Sequence, residues 1–298
     1  MKITLRQLEV FAAIAAHGHV TRAAQAVALT QAAASMALGD LERQLDRRLF
    51  DRVGRQLLLN EAGRQLLPQA QEVLDRVRDM EAPAPGPGAF LLHLGASLTI
   101  GNHLLPPVLG ELLRRYPQSQ VDLKLHNTEQ VQADLEAFRI DLGFIEGPLG
   151  NARLRHFPWR QDRLVVFAPL DHPLAGGTAT PGDLARATWV VREKGSGTRE
   201  IFERALGNLG LTPNLSLELE QPEAIRQAVR AGLGLGCLSA LELEDPFRAG
   251  WLAPVETPFL KLDRELQIVM HPEKFPGAGI QALLALCGVD AEGMEAKL

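Results

Sequence analysis

The sequence predicts an α/β chain built as a small helical head followed by a larger body of alternating strands and helices. Three observations predict it. The stretch Thr21 to Glu42, TRAAQAVALTQAAASMALGDLE, reads as two Ala-rich helices joined by a tight turn. Residues 82 to 88, APAPGPG, cannot continue a helix and mark a boundary. From Phe90 onward, short apolar runs alternate with helical periodicities, the pattern of parallel sheet covered by helices.

The head begins with Leu5, Leu8, Phe11, Ala12 and Ala15 at helical spacing, a first helix packing beneath the pair. The pair itself is expected at about 21–28 and from Thr30 past Glu42. Thr21 and Thr30 stand where a hydroxyl accepts from the free N–H groups of a new helix. Ala23, Ala24, Ala33 and Ala34 let two helices cross closely, as a helix-turn-helix requires. Next, RRLFDRVGRQLLLNEAG (47–63) reads as a β-wing with its turn at Val53-Gly54, flanked by Arg52 and Arg55.

Residues 61 to 80 place Leu66, Leu67, Ala70, Val73, Leu74 and Val77 on one helical face, with Pro68 early in the pattern. Such a stripe needs a cover, either a second copy of the chain or its own C-terminal part.

Charge is uneven. The chain carries a net −5, yet residues 1 to 60 hold eight Lys or Arg against five Asp or Glu, leaving the remainder at −8. A weakly basic head on an acidic body fits phosphate contacts confined to one end, strengthened when an oligomer presents several heads. No apolar run approaches the ~20 residues that span a bilayer, and MKITLRQLEVF lacks a secretory pattern, so a cytoplasmic protein is expected. Cys237 and Cys287 read as free thiols in a reducing compartment.

In the body, FLLHLGAS, VDLKLHN, DLGFIEG, LVVFAPL, TWVVRE, LSLELE and LQIVMHP read as strands. Helices are expected near 101–116, 129–138, 198–209, 222–231 and 278–287. GASLTIGNHLLP and EKGSGTREIF each end a strand in a hydroxyl-rich turn and open a helix, which suggests two similar subdomains. A helix N-terminus favours an anion. Ser97 and Thr99 supply hydroxyls at the first turn, Ser196, Thr198 and Arg199 serve the second, and Asn127 and Thr128 line the cleft from a third direction. Ordinary capping explains any one such turn; two on matching halves point to a small-molecule site.

GSGTR also invites an enzyme reading, but it lacks a phosphate-loop lysine and spacing, and no GxGxxG follows a first strand. The histidines fall singly, without catalytic or metal-ligand spacing. No catalytic residue, metal or cofactor is assigned, and a non-enzymatic binder is expected.

TRAAQAVALTQAAASMALGDLERQLDRRLFDR followed by LNEAG resembles the N-terminal domain of LysR-type transcriptional regulators, in register from about Leu5 to Gly63. ASLTIGN, HNTEQV and REKGSGTR resemble its CysL-like and CbbR-like branch. The resemblance implies a winged helix-turn-helix over 1–60, a dimerising linker helix over 61–82 and a hinge over 83–89. A two-lobed, periplasmic-binding-protein-like effector domain would follow over 90–298, with lobe I at 90–161 and 264–298 and lobe II at 162–263. The implied partners are promoter DNA, a small and often anionic effector, and further copies of the chain as a dimer of dimers. The recognition helix would then read bases through Thr30, Gln31, Ala32, Ser35 and Met36, with Arg52 and Arg55 on phosphates or the minor groove. Ala32 stands where the family usually has proline, Met36 where it has a basic residue, and Gly39 at a basic or polar position, all of which weaken each head.

Overall fold

The computed structural model describes residues 3–54, 56–81, 89–147 and 153–289, with side chains omitted for 78–81. Helix α1 (Leu5–His17) starts at a capping box in which Thr4 accepts from Gln7 N while the Gln7 side chain accepts from Thr4 N. Helices α2 (Val20–Ala26) and α3 (Gln31–Leu45) form the pair. Ala23, Ala24 and Ala34 are buried at the crossing, so the small residues do set the close approach.

Thr30 caps α3 by accepting from Ala33 N at 3.2 Å. Thr21 caps nothing: α2 begins one residue before it, behind His19. The helix starts earlier because its entry is fixed by the preceding turn at Gly18, which ends α1 in the left-handed region. Strands β1 (Phe50–Val53) and β2 (Gln56–Leu59) make the wing, in register from Phe50 opposite Leu59 to Val53 opposite Gln56.

Helix α4 (Glu61–Glu81) carries Pro68 inside its length. Much of its stripe is covered within the chain. Leu66, Leu67, Ala70 and Leu74 are buried in the head's own core with Leu8, Val10, Phe11 and Ile14 of α1. Val73 alone among the larger side chains of the stripe is well exposed. An amphipathic helix satisfies its apolar face with the nearest apolar neighbour, here α1.

The body starts with β3 (Leu91–Ala96), a π-helical turn (Ile100–Leu104) and α5 (Leu105–Arg115), where one continuous helix was expected. Strand β4 (Gln120–Leu125), α6 (Thr128–Glu136) and β5 (Leu142–Glu146) complete the first parallel unit, with β3 central between β4 and β5. Strand β6 (Arg155–Pro169) is far longer than the LVVFAPL run suggests. Its first part pairs antiparallel with β11 (Asp263–Met270) up to Arg163, and from Leu164 it pairs with β9 (Leu235–Ser239).

Around that second part lie α7 (Pro181–Arg186), β7 (Thr188–Arg192), α8 (Gly197–Gly207), β8 (Asn214–Leu219), α9 (Pro222–Arg230), α10 (Ala240–Arg248) and β10 (Leu252–Val255). The chain closes through α11 (Ala278–Leu286) on the first unit. The strand order is β4-β3-β5-β11-β6-β9-β7-β8, with β10 also on β6. Two lobes thus share β6. One core gathers Leu94, Phe144, Ile268 and Leu283; a second gathers Trp189, Phe202, Leu235 and Val255. Among the described residues, no helix is long and apolar enough to cross a membrane.

Candidate functional site

The carboxyl ends of the parallel strands β3, β4 and β5 in one lobe, and β7 and β8 in the other, bound a cleft of the kind that open α/β sheets use for ligands. Its floor is an ionic cluster that sequence reasoning missed. Glu146 ends β5, Asp162 lies in β6 and Arg264 lies in β11, their side chains at most 3% exposed. Arg264 Nη2 lies 2.7 Å from Glu146 Oε2 and 2.6 Å from Asp162 Oδ2, while Nε donates to Asp162 Oδ2 at 2.7 Å. Ser239 Oγ donates to Asp162 Oδ1 at 2.8 Å. A buried charge survives only when paired and hydrogen-bonded, and here one guanidinium serves two carboxylates.

The predicted effector residues gather around that floor. Thr99 donates to Glu146 Oε1 at 3.4 Å from the first lobe, and Thr198 donates to the same oxygen at 3.2 Å from the second. Thr198 Oγ1 also accepts from Arg264 Nη1 at 2.9 Å. Thr128 Oγ1 donates to the Glu146 carbonyl at 3.0 Å. Asn127 caps α6 by accepting from Gln130 N, and its amide donates across the lobes to the Lys194 carbonyl. Ser97, between β3 and the π-helical turn, and Ser196, at the start of α8, are both buried. Their hydroxyls find no hydrogen-bond partner among the described residues.

Arg199 behaves differently from its sequence neighbours. Its guanidinium donates to Glu203, to Glu218 at 2.5 Å and to the Arg192 carbonyl, so its charge is spent within the second lobe. Hydrogen bonds to those two carboxylates hold its pKa above the ordinary arginine value against the opposing effect of burial.

The lobes meet tightly. A Cβ built on Gly197 would stand 1.8 Å from the Glu146 carbonyl oxygen, so only glycine admits this approach of α8 to β5. Glu129 N donates to the Gly195 carbonyl at 3.1 Å. A second interlobe contact joins His103 of the π-helical turn to Glu242 of α10 at 3.0 Å. The Glu242 hydrogen bond raises the His103 pKa above 6.5, outweighing partial desolvation.

The head presents a second surface. Thr30, Gln31, Ala32, Ser35 and Met36 are all exposed, and Ala34, Leu38 and Leu41 hold the opposite side of α3 in the core. The exposed positions fall at i, i+1, i+4 and i+5 from Gln31, one continuous helical face. Arg52 is exposed on β1, whereas Arg55 lies outside the described residues. Cys237 is buried and Cys287 half-buried; burial pushes both thiols up to about 12. Among the described residues, no group of His, Cys, Asp and Glu could hold a metal ion.

A helix-turn-helix head with a wing, joined by a helix to two α/β lobes around a polar cleft, defines a ligand-responsive DNA-binding regulator. Residues 5–64 match the bacterial regulatory helix-turn-helix family of LysR type, and residues 88–290 match the LysR substrate binding domain. The chain belongs to the LysR family of transcriptional regulators. It is 43% identical over 288 residues to the uncharacterized HTH-type transcriptional regulator YeiE of Escherichia coli, covering 96% of this chain and 98% of the relative. The RuBisCO operon transcriptional regulator of Allochromatium vinosum is 36% identical over 82% of each chain. Among solved structures, the regulatory domain of CcmR from Synechocystis, in complex with 2-PG, is similar at a TM-score of 0.61 and 28% identity. It covers 68% of this chain and 98% of its own.

Proposed function

We propose that this regulator binds a small oxyanion in the interlobe cleft and that the bound anion changes how its heads engage promoter DNA. The observation that carries the reading is the pair of buried hydroxyls without partners among the described residues, Ser97 Oγ and Ser196 Oγ, on opposite lobes. A buried polar atom left unpaired costs about 1–3 kcal/mol, so a native cleft that keeps two such hydroxyls is built to donate hydrogen bonds to something else. Ser196 opens α8 without capping it, leaving the helix N-terminus to an anion. Thr99, Asn127, Thr128 and Thr198 set the walls, and Arg199 fixes the second lobe from behind. The CcmR regulatory domain, similar to residues of this chain, is in complex with a small molecule, 2-PG.

On the DNA side, the exposed face of α3 enters the major groove. Gln31 suits adenine, Ala32 and Met36 suit thymine methyls, Ser35 and Thr30 reach bases or phosphates, and Arg52 and Arg55 reach backbone or minor groove. The lobe division at 161/162 and 263/264 is supported by the exchange of β6 partners at Leu164. Copies of the chain pair, as a dimer or a dimer of dimers, in the cytoplasm.

Calorimetric titration of the full chain with sulfate, phosphate, acetate and 2-PG tests the cleft. At least one should bind once per chain, and Ser97→Ala with Ser196→Ala should weaken it at least tenfold. Equal binding by the double variant, or none by the wild type, sinks the assignment.

A further inference from the structure

The first lobe docks on its own head and linker helix, and the docking centres on one lysine. Lys274, in the loop after β11, is 6% exposed. Its Nζ lies 2.5 Å from Asp75 Oδ2 on α4 and 2.7 Å from Asp141 Oδ1 immediately before β5. Each carboxylate is held in turn. Gln71 donates to Asp75 Oδ1 at 3.2 Å, and His93 N donates to Asp141 Oδ2 at 2.7 Å.

Around this clamp, Phe138 packs against the head's core cluster and stacks on His271 with centroids 4.2 Å apart. Phe138 sits at φ +53, an uncommon conformation for an aromatic residue and a sign that its position is over-determined. Arg76 of α4 lies over the Phe275 ring at 4.8 Å. The remainder of the junction is loosely filled. A cavity of about 490 Å³ lies between Ala12 and Ala13 of α1, Leu74 of α4, and Phe138, Arg139 and Asp141 of the lobe. An interface with a buried ionic clamp and an unfilled cavity has specific geometry but modest packing, which suits a contact that opens.

The clamp and the cleft floor stand at opposite ends of the same two strands. Asp141 precedes β5, and Glu146 ends it. Arg264 lies near the start of β11, and Lys274 follows its end. β5 and β11 are hydrogen-bonded antiparallel neighbours, with Leu266 opposite Glu146 and Val269 opposite Gly143. All of β5 is buried, and a Cβ on Gly143 would meet Val131, Val269 and Leu135 within 2.9 Å. So tightly packed a pair has little room to deform internally and transmits a displacement along its length. The span from Glu146 to Asp141 is about 17 Å at strand rise.

We infer that the β5–β11 pair couples the effector cleft to the head, with Lys274 as the positioning residue that latches lobe I onto α4 through Asp75 and Asp141. The cleft end of this route rests on the oxyanion reading above, whereas the latch stands on its own contacts. Removing the lysine takes away the cation that Asp75 and Asp141 share and loosens the contact between lobe I and α4.

Hydrogen exchange of the full chain, followed on peptides covering 71–77 and 138–142, tests both parts without requiring an effector or an operator. Lys274→Met should speed exchange in both peptides at least tenfold while the second lobe stays protected. Asp75→Asn should give a weaker change of the same kind. The exchanged pair Asp75→Lys with Lys274→Asp, which restores one cation between two carboxylates, should recover most of the protection. The cleft substitution Arg264→Lys should alter exchange at 71–77 in the wild-type background and leave it unchanged in the Lys274→Met background. Unchanged exchange in Lys274→Met and Asp75→Asn overturns the latch. An equal effect of Arg264→Lys in both backgrounds, or none in the wild type, overturns the coupling while leaving the latch and the oxyanion site standing.

Discussion

Glu146 and Arg264, each about 1% exposed at the side chain, meet at 2.7 Å on the floor of the interlobe cleft. They come from strands that are distant in sequence and adjacent in the sheet. The same guanidinium holds Asp162, so its loss strands two carboxylates where loss of Glu146 strands none. Arg264→Met should therefore destabilise the chain by about 3–5 kcal/mol, and Glu146→Gln by clearly less. Urea unfolding of the two variants checks the order, and equal losses would show that Arg264 serves only one partner.

Gly197 governs how closely the lobes approach. A methyl group there would overlap the Glu146 carbonyl, a backbone atom that cannot rotate away. Gly197→Ala should hold the cleft open and weaken any cleft ligand at least tenfold, while α8 itself gains slightly in helix propensity. Small-angle scattering of the variant should show a larger radius of gyration; an unchanged profile with intact ligand binding would place the lobe contact elsewhere.

The His103–Glu242 contact makes interlobe stability depend on pH. His103 titrates above 6.5 in the folded chain because Glu242 accepts its hydrogen bond, with Asp245 acting the same way and Arg226 against it. The stabilisation is fully present below about pH 6.5 and is lost as pH rises through the elevated folded value. Urea midpoints for the wild type and His103→Gln should differ at about pH 6 and converge by about pH 9. A constant gap would mean the contact carries no charge.

Gly39 lies inside α3, and a Cβ built there meets nothing within 4 Å. Gly39→Ala should stabilise the head by about 0.5–1 kcal/mol by lowering the entropy of the unfolded chain. A thermal melt that falls instead would reveal a need for glycine in the native helix.

The sequence made the head almost wholly legible, because small residues at a helix crossing and a cap at Thr30 act locally. Thr21 misled for the same reason: a hydroxyl in a plausible cap position says nothing about where the preceding turn delivers the chain. The α4 stripe was visible, but periodicity cannot say which apolar face covers it, and α1 did. Strands β9 and β10 escaped notice because glycine-rich GLGLGCLS and proline-bearing LAPV lack the β-branched texture of a strand. At the cleft, hydroxyl turns announced themselves next to helix starts. Glu146, Asp162 and Arg264 did not, since pairing across 118 residues, from 146 to 264, leaves no local pattern. A glutamate closing the otherwise apolar LGFIE was the one available hint. Arg199 illustrates the converse, a charge in a suggestive motif that the fold spends on Glu203 and Glu218.

Fluorescence anisotropy of a DNA fragment selected by the full chain from a random pool, titrated with protein in the presence and absence of the oxyanion that calorimetry identifies, decides the account. The wild type should change its DNA affinity at least threefold when the anion is added. Ser97→Ala with Ser196→Ala should bind the same fragment equally well without anion and show no response to it. A double variant that responds like the wild type, or a wild type whose DNA affinity ignores a bound anion, would contradict it.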